Sequence, residues 1–495
     1  MHPVNQPHIP RESGGSKRVN FFPLLPMGKG VLSLLLLTLV TLVVPAPLSA
    51  LTTKDENELG EKLLFMIRKE FKIIDEPDIT TYIRNLGGEV LEVAGPQLFS
   101  YHFFVINNRE FNAFAAPSGL IAIHSGLIEA ADSEGELLSV MAHEVGHAAS
   151  RHYARRLEKN QRINMGTTAL ALAGMILGGG SALGEAVVAG SMAGGAAMEL
   201  QFSRQDEEEA DRLALGWLKE LERDPAEMLG MLRKMRKISR FRSNMLPPYL
   251  LTHPEPERRL SYIEDRLLME GLPTAIRPLP GDEGFEFAFH RVKQRLYSLT
   301  RTPRELLPAL EHQLKNGDKA PENFMARFGL SQVYLAERQY ERSLAELDKV
   351  IARFPEQTIL LTDRALILFE SGEREQALTL FEQAAEGKPD NPYTLFHLAQ
   401  ALQQMGRADE AMPIYQRLLK ITPDHAQLHF RYGQAVSGMG RVALGHYHLG
   451  LYHWYGGDAR MARHHLEEAV RLAEENESVQ LLAREKLDSI DHLEQ

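Results

Sequence analysis

The sequence contains no cysteine in 495 residues. Disulfide cross-links and thiolate metal ligands are therefore excluded, and any bound metal must be held by histidine or carboxylate side chains. Tryptophan is nearly as scarce, with 2 residues, and aromatics make up only 7% of the chain. Basic residues are in the minority: 55 Lys and Arg face 66 Asp and Glu, giving a formal net charge of −11. That balance argues against a partner made of nucleic acid, which calls for a basic face. Long uncharged runs are few. One extends from Val31 to Val44, after Lys17, Arg18 and Lys29, and leads to a small-residue exit at Ser49-Ala50. A basic region, a short apolar core and a small-residue exit read as a secretory signal peptide over residues 1–50. The other, Met165 to Gly184, has no charge but includes Gly178-Gly179-Gly180 and is rich in Ala, Gly and Thr. That composition favours close-packed helices or a lid with peripheral membrane contact over a membrane span.

The length suits two or three folding units, and a hydrophobic content of 44% supplies ample core. After the signal segment, Leu59, Leu63, Leu64, Ile67 and Phe71 recur at three and four, so a helical pattern is expected from Lys54 to about Ala94. Two extended runs follow, Tyr101 to Ile106 and Leu120 to Ile123, separated by the turn signal Ala116-Pro117-Ser118-Gly119. They predict a short sheet before a helix over Glu134 to Arg155. A further helix is expected from Arg204 to Glu222. Pro273, Pro278, Pro280 and Gly281 mark the exit from this first domain.

The C-terminal portion repeats. Pro321, Pro355, Pro389 and Pro423 recur every 34 residues, and Gly372, Gly406 and Gly440 keep the same spacing, as do Ala377 and Ala411. A period of this length built from helix pairs is the tetratricopeptide signature, with small residues where helices cross and proline ending the second helix. Repeats are expected to start near Phe324, Thr358, Pro392 and Ala426; the register blurs beyond Gly440, and a last helix pair is expected from Asp458 to about Ser489. The fold class is therefore mainly α: an α+β domain with a short sheet, made a zincin-type peptidase domain by the motif His143-Glu144-Val145-Gly146-His147, followed by an α-solenoid of tetratricopeptide-like repeats. The expected division is 1–50 signal peptide, 51–272 peptidase domain, 273–320 linker and connecting helices, and 321–495 repeat domain.

The chemistry rests on His143-Glu144-Val145-Gly146-His147. Histidines four apart lie on one helix face and can reach a single zinc ion, one per chain, while Glu144 beside them serves as general base toward an activated water. Leu137, Leu138, Val140, Met141, Val145 and Ala148 make this helix a buried one, and Gly146 leaves room against it. A catalytic zinc wants a third protein ligand. Position 153, where longer signatures place another histidine, is Tyr153, and His152 comes one residue early and is expected to point elsewhere. Glu207, Glu208 and Glu209 compete for the role. Ala210, Leu213, Ala214, Trp217 and Leu218 define the buried face of their helix, and three residues back from Ala210 is Glu207, while Glu208 and Glu209 rotate toward solvent. Asp211, one turn later on the same side, is expected to orient an imidazole.

His143-Glu144-Val145-Gly146-His147, the acidic segment Ser203 to Asp211 and the stretch Asn112 to Gly119 together resemble the zinc metallopeptidase family of the CAAX prenyl endopeptidase type. The combination with helical repeats is similar to its periplasmic, tetratricopeptide-containing branch. The resemblance implies that Glu207 is the third ligand, and that the stretch containing Asn112 and Phe114 flanks the cleft, where an edge strand binds an extended substrate. It also implies that His253, in Thr252-His253-Pro254, caps the metal's open position in a self-inhibited state. A periplasmic endopeptidase acting on misfolded or assembling envelope proteins, with the outer-membrane barrel assembly machinery as a partner of the repeats, is the expected function. The other reading is a chaperone-like repeat adaptor with a largely latent peptidase domain.

Overall fold

The computed structural model describes residues 52–159, 202–241, 247–275, 285–315, 320–473 and 477–494. The expected signal segment and the uncharged run from Met165 to Gly184 lie outside them. Elements are numbered through the described residues.

The single helical pattern expected over 54–94 is two helices, α1 (Thr53–Glu70) and α2 (Pro77–Val93), with the two-residue strand β1 (Ile73–Ile74) between them. Thr52 starts α1 with a reciprocal capping box to Asp55, and Pro77 at the first turn of α2 forbids continuation from the preceding helix. Leu59, Leu63 and Ile67 point from α1 into the core at 0–1% exposure. Strands β2 (His102–Ile106), β3 (Ala113–Ala116) and β4 (Leu120–His124) complete a four-stranded sheet of order β1-β2-β4-β3. β2 and β4 run parallel, and the two edge strands pair antiparallel to them. Ser118 turns the chain between β3 and β4 in the left-handed region, at φ 66, with its hydroxyl 2.7 Å from Asn57 Oδ1 on α1.

Against the sheet lies α4 (Glu134–Ala149), after the short α3 (Ser125–Ala130). Ser133 caps α4 by accepting from the Glu136 amide, and residues 135–147 are buried on every side. The helix ends sooner than the sequence pattern suggests. Arg151 takes a left-handed conformation, φ 50, and a separate helix α5 (His152–Lys159) leaves in a new direction. Helix α6 (Arg204–Glu220), started by a Ser203–Asp206 capping box, crosses α4 at Gly146. A Cβ there would stand 3.1 Å from Ala210 Cα and 3.2 Å from its carbonyl oxygen, so glycine sets how closely the two helices approach. Helices α7 (Ala226–Phe241), α8 (Pro248–Thr252) and α9 (Pro256–Met269) close this layer.

Helices α10 (Phe287–Thr300) and α11 (Pro303–Lys315) lead to the repeats. The helix pairs are α12/α13 (Pro321–Ala336, Tyr340–Arg353), α14/α15 (Ile359–Ser371, Arg374–Gly387), α16/α17 (Pro392–Gln404, Ala408–Ile421) and α18/α19 (Ala426–Gly438, Val442–Tyr455). Pro355, Pro389 and Pro423 follow second helices as expected, whereas Pro321 opens a helix. Gly372, Gly406 and Gly440 take positive φ where first helices end, the conformation a residue with a Cβ resists. Ala377 and Ala411 sit fully buried at the crossings, with Phe381 and Tyr415 filling the layer below. The last helix pair expected from Asp458 to about Ser489 is α20 (Ala459–Leu472) and α21 (Glu477–Glu494), with α19 packed on α20 and α20 on α21.

The repeats are bolted to the rest through a buried arginine. Arg291 on α10 donates two hydrogen bonds to Asp363 on α14, at 2.9 and 2.7 Å, and one of 3.0 Å to Asp78 on α2. Arg295 donates to Asp78 at 2.9 Å, and the Tyr393 hydroxyl donates to Asp363 at 2.9 Å. Burial alone would raise the Asp78 carboxyl, but the Arg295 and Arg291 charges outweigh it and hold the group at about 2. Among the described residues no helix is long and apolar enough to cross a membrane.

Candidate metal centre

Helix α4 brings His143 and His147 onto one face, with their Nε2 atoms 3.0 Å apart. Helix α6 supplies Glu207 from across the Gly146 crossing: its Oε1 is 3.3 Å from His147 Nε2 and its Oε2 is 3.6 Å from His143 Nε2. His253, at the end of α8, inserts its Nδ1 between them, 3.3 Å from His143 Nε2 and 2.9 Å from Glu207 Oε1. One donor atom from each of these four residues lies within 4.8 Å of all the others, and all four side chains are buried. Donors bound at about 2.0–2.1 Å to one tetrahedral ion would stand about 3.4 Å apart. The observed spacings of 2.9–3.6 Å bracket that value. Two imidazoles and a carboxylate in a buried cluster are a donor set suited to a metal ion.

Burial drives the His147 imidazole well below its ordinary range, against the opposing pull of its contact with Glu207. A neutral imidazole is the form that ligates. Burial pushes the Glu207 carboxyl up, but the His253 and Arg259 charges and the contacts with His147 and His253 overcome it, and the group stays ionised.

The supporting contacts fix each ring. Asp211 Oδ1 lies 2.8 Å from His143 Nδ1, so it holds the ring nitrogen that faces away from the cluster. Asp211 is itself clamped by Arg259, which donates at 2.9 and 2.6 Å, and by the Tyr262 hydroxyl. Arg259 also places Nη1 2.8 Å from Glu207 Oε2, so one guanidinium serves both acids of α6. The second histidine has its own support. His152 Nδ1 lies 2.8 Å from His147 Nδ1, and its Nε2 lies 3.3 Å from Glu209 Oε2. Tyr249 stacks on His253 at 4.3 Å and 22°, and Phe202 covers His147 at 3.8 Å.

Glu144 is fully buried beside the cluster. Its Oε2 accepts a 2.8 Å hydrogen bond from the Ala115 amide, while Oε1 faces His253 Nε2 at 3.5 Å without a hydrogen bond. The Ala115 amide is on the free side of β3. The His124 amide donates to the Asn112 carbonyl at 3.0 Å, which makes Ala113 opposite Ile123 a non-hydrogen-bonded pair. By alternation, Ala113 and Ala115 turn their backbone groups outward and Phe114 turns its own toward β4. The side chains of Asn112 and Phe114 are buried, at 3% and 4% exposure.

The expected residues His143, Glu144, His147, Glu207, Asp211 and His253 thus meet in one place, with Phe114 on the adjoining strand β3 and Asn112 just before it. Three details differ from the sequence reading. His152 does not point elsewhere but backs His147, because the break at Arg151 swings α5 inward. Glu209 is not merely solvated, since it receives Arg155 at 3.0 Å and approaches His152. Leu213 is half-buried and Leu215 takes its place on the inner face of α6. Arg259, Tyr262 and Tyr249 carried no sequence signal, although the run Arg258-Arg259 facing an acidic helix could have drawn notice.

Residues 77–267 match Peptidase family M48, and residues 368–431 match a tetratricopeptide repeat. The beta-barrel assembly-enhancing protease of Escherichia coli (strain K12) is 31% identical over 309 residues, covering 62% of this chain and 61% of that protein. A putative beta-barrel assembly-enhancing protease of Vibrio cholerae serotype O1 is 30% identical over 349 residues, covering 70% of this chain and 63% of that one. The metalloprotease LoiP of Escherichia coli (strain K12) is 27% identical over 201 residues, or 39% of this chain and 71% of that one. The chain spans about three fifths of the length of the first two.

Proposed function

Because this chain carries a peptidase family M48 domain at residues 77–267 and tetratricopeptide repeat at 368–431, we propose that it is a zinc-dependent endopeptidase of the periplasm. Its proposed clients are misfolded or assembling envelope proteins, with the outer-membrane barrel assembly machinery as a partner of the repeats. The name of its relatives, beta-barrel assembly-enhancing protease, supports that client class. The observation that carries the reading is the buried convergence of His143, His147 and Glu207 beside Glu144.

His143, His147 and Glu207 would hold the metal. When bound, zinc supplies a Lewis acid that polarises a peptide carbonyl and lowers the pKa of a water. Glu144 takes a proton at Oε1, the oxygen with no hydrogen bond, and returns it to the departing amine. Asp211 and His152 hold the outward nitrogens of the two imidazoles, which fixes their tautomers. The free edge of β3, at Ala113 and Ala115, orients an extended substrate by strand addition.

A latent state has its own support. His253 Nδ1 takes the fourth corner of the cluster, and the Ala115 amide that a substrate strand would use is held by Glu144. Both positions must be vacated before a peptide can enter, so His253 acts as a gate, and the repeats can bind clients while the peptidase is closed. The test measures zinc content and casein cleavage for the mature chain, Glu144→Gln and His253→Ala. One zinc per chain, no cleavage by Glu144→Gln and faster cleavage by His253→Ala are expected. Absence of zinc from all three proteins would leave the repeat-based adaptor as the better account.

A further inference from the structure

On the opposite edge of the sheet from Glu144, a cavity of about 740 Å³ opens between the peptidase layer and the last repeats. Its walls come from α1, β1, β2, the α17–α18 connection, α19 and α21. The volume is within the range of pockets that hold ligands, about 300–1,000 Å³. Two of its cations have no hydrogen bond or ion pair among the described residues. The Arg68 guanidinium lies over the Tyr455 ring at 4.8 Å, and Lys486 Nζ lies over the Trp454 ring at 4.3 Å. Those contacts use the charge through the ring faces and leave the N–H donors unmatched. Burial, then the neighbouring Arg68 charge, brings the Lys486 ammonium down to about 8. Burial likewise lowers Arg68. Two half-buried cations that discourage each other are the setting in which an anion is welcome.

The remaining lining narrows the ligand. Phe65 stacks on Trp454 at 5.4 Å and 18°, and Tyr101 and Phe103 extend the apolar wall. Asp75, Asp424 and Glu61 also line the cavity, against Arg68, Lys72, Arg84 and Lys486, so a multiply charged anion would meet more repulsion than a monoanion. The sheet edge favours a peptide. The Asn107 amide donates to the Lys72 carbonyl at 2.9 Å, which makes Ile73 opposite Ile106 a non-hydrogen-bonded pair. Ile73 therefore turns its own N–H and C=O away from β2, toward the cavity it lines.

We infer that this cavity binds the C-terminal carboxylate and apolar last residues of a polypeptide, with Arg68 and Lys486 on the carboxylate, the Phe65/Trp454 wall on the side chains and Ile73 on the backbone. The site recognises a chain end at a distance from the metal cluster and is independent of whether that cluster cleaves.

Trp454 provides the readout, because Trp217 is the only other tryptophan in the sequence. In a Trp217→Phe background of the full mature chain, fluorescence is titrated with acetyl-Leu-Val-Phe as the free acid and as the C-terminal amide. Decanoate and inorganic phosphate are titrated in parallel. The free acid is expected to bind and the amide to bind about tenfold more weakly or worse, as loss of a charge-assisted contact implies. Lys486→Gln should lose about the same factor, and Lys486→Arg should retain binding. Arg68→Gln should match Lys486→Gln if it folds, as judged by its melting curve; Lys486 is half-buried at the surface, so its variants keep the test decisive in either case. Equal affinity for acid and amide would overturn the inference, as would unaltered binding by Lys486→Gln. Binding of decanoate or phosphate without the peptide acid would also overturn it, making the cavity a fatty-acid or simple anion site.

Discussion

Replacing Arg259 with Met isolates the cost of the charges gathered around the metal cluster. Arg259 is 4% exposed, donates twice to Asp211 and lies 2.8 Å from Glu207 Oε2. Methionine fills much of the same volume but leaves two ionised carboxylates on consecutive turns of α6 without their shared cation. Removing one partner of a buried ion pair costs about 3–5 kcal/mol. At about 2–4 °C per kcal/mol for a domain of this size, the metal-free variant should melt about 6–20 °C below the metal-free parent. Zinc brings positive charge back to Glu207, so the deficit should shrink when both proteins are loaded. Adding Asp211→Asn to Arg259→Met removes one of the stranded charges and should recover part of the loss. The assay is thermal unfolding followed by far-ultraviolet circular dichroism, with chelator and with zinc. A metal-free deficit under about 2 °C, or one that zinc leaves unchanged, would refute the assignment of Arg259 as the counter-charge of this centre.

Gly146→Val should force α4 and α6 apart, since even a Cβ would meet Ala210 Cα at 3.1 Å; overpacking predicts a loss of about 1–3 kcal/mol in urea unfolding together with weaker zinc binding, measured by competition with a chromogenic chelator. Acid should weaken the attachment of the repeats. The Asp78 carboxyl sits at about 2 against an ordinary 3.8, so its contribution, about 2 kcal/mol, is present above pH ~4 and is lost as pH falls toward ~2. A stability profile from urea melts that is flat from pH 5 to pH 2.5 would contradict this.

The centre was legible in the sequence to the extent that its residues share an element. His143, Glu144 and His147 are spaced by one helical turn, and Glu207 with Asp211 by another, so helix periodicity alone aligned them. The place of His152 is hidden because the helical pattern of the sequence runs on to Arg155, and nothing in it announces the left-handed Arg151. Arg259 and Tyr262 reach Asp211 across about fifty residues, a pairing that only the packing of α9 on the inner layer creates. The repeats were legible because their period is printed in prolines, glycines and alanines. Strand β1 was not, since two residues carry no alternation and its sheet partner lies thirty residues on. Asn112 and Phe114 mark the neighbourhood of β3, but which alternate residues face outward depends on register, and the pairing of Ala113 with Ile123 decides it.

The Arg291 network bears on how such a protein can be recombined. Its donors come from α10, between the two functional parts, and its acceptors come from α2 on one side and α14 on the other. An array of repeats is often treated as a module that can be exchanged at a linker. Here, exchanging it at residue 320 would remove Asp363 and Tyr393 and leave Arg291 buried with Asp78 alone. Any repeat array grafted onto this N-terminal part must therefore bring a carboxylate to the position of Asp363, and any lineage that has shuffled the two parts should show that acid travelling with the repeats.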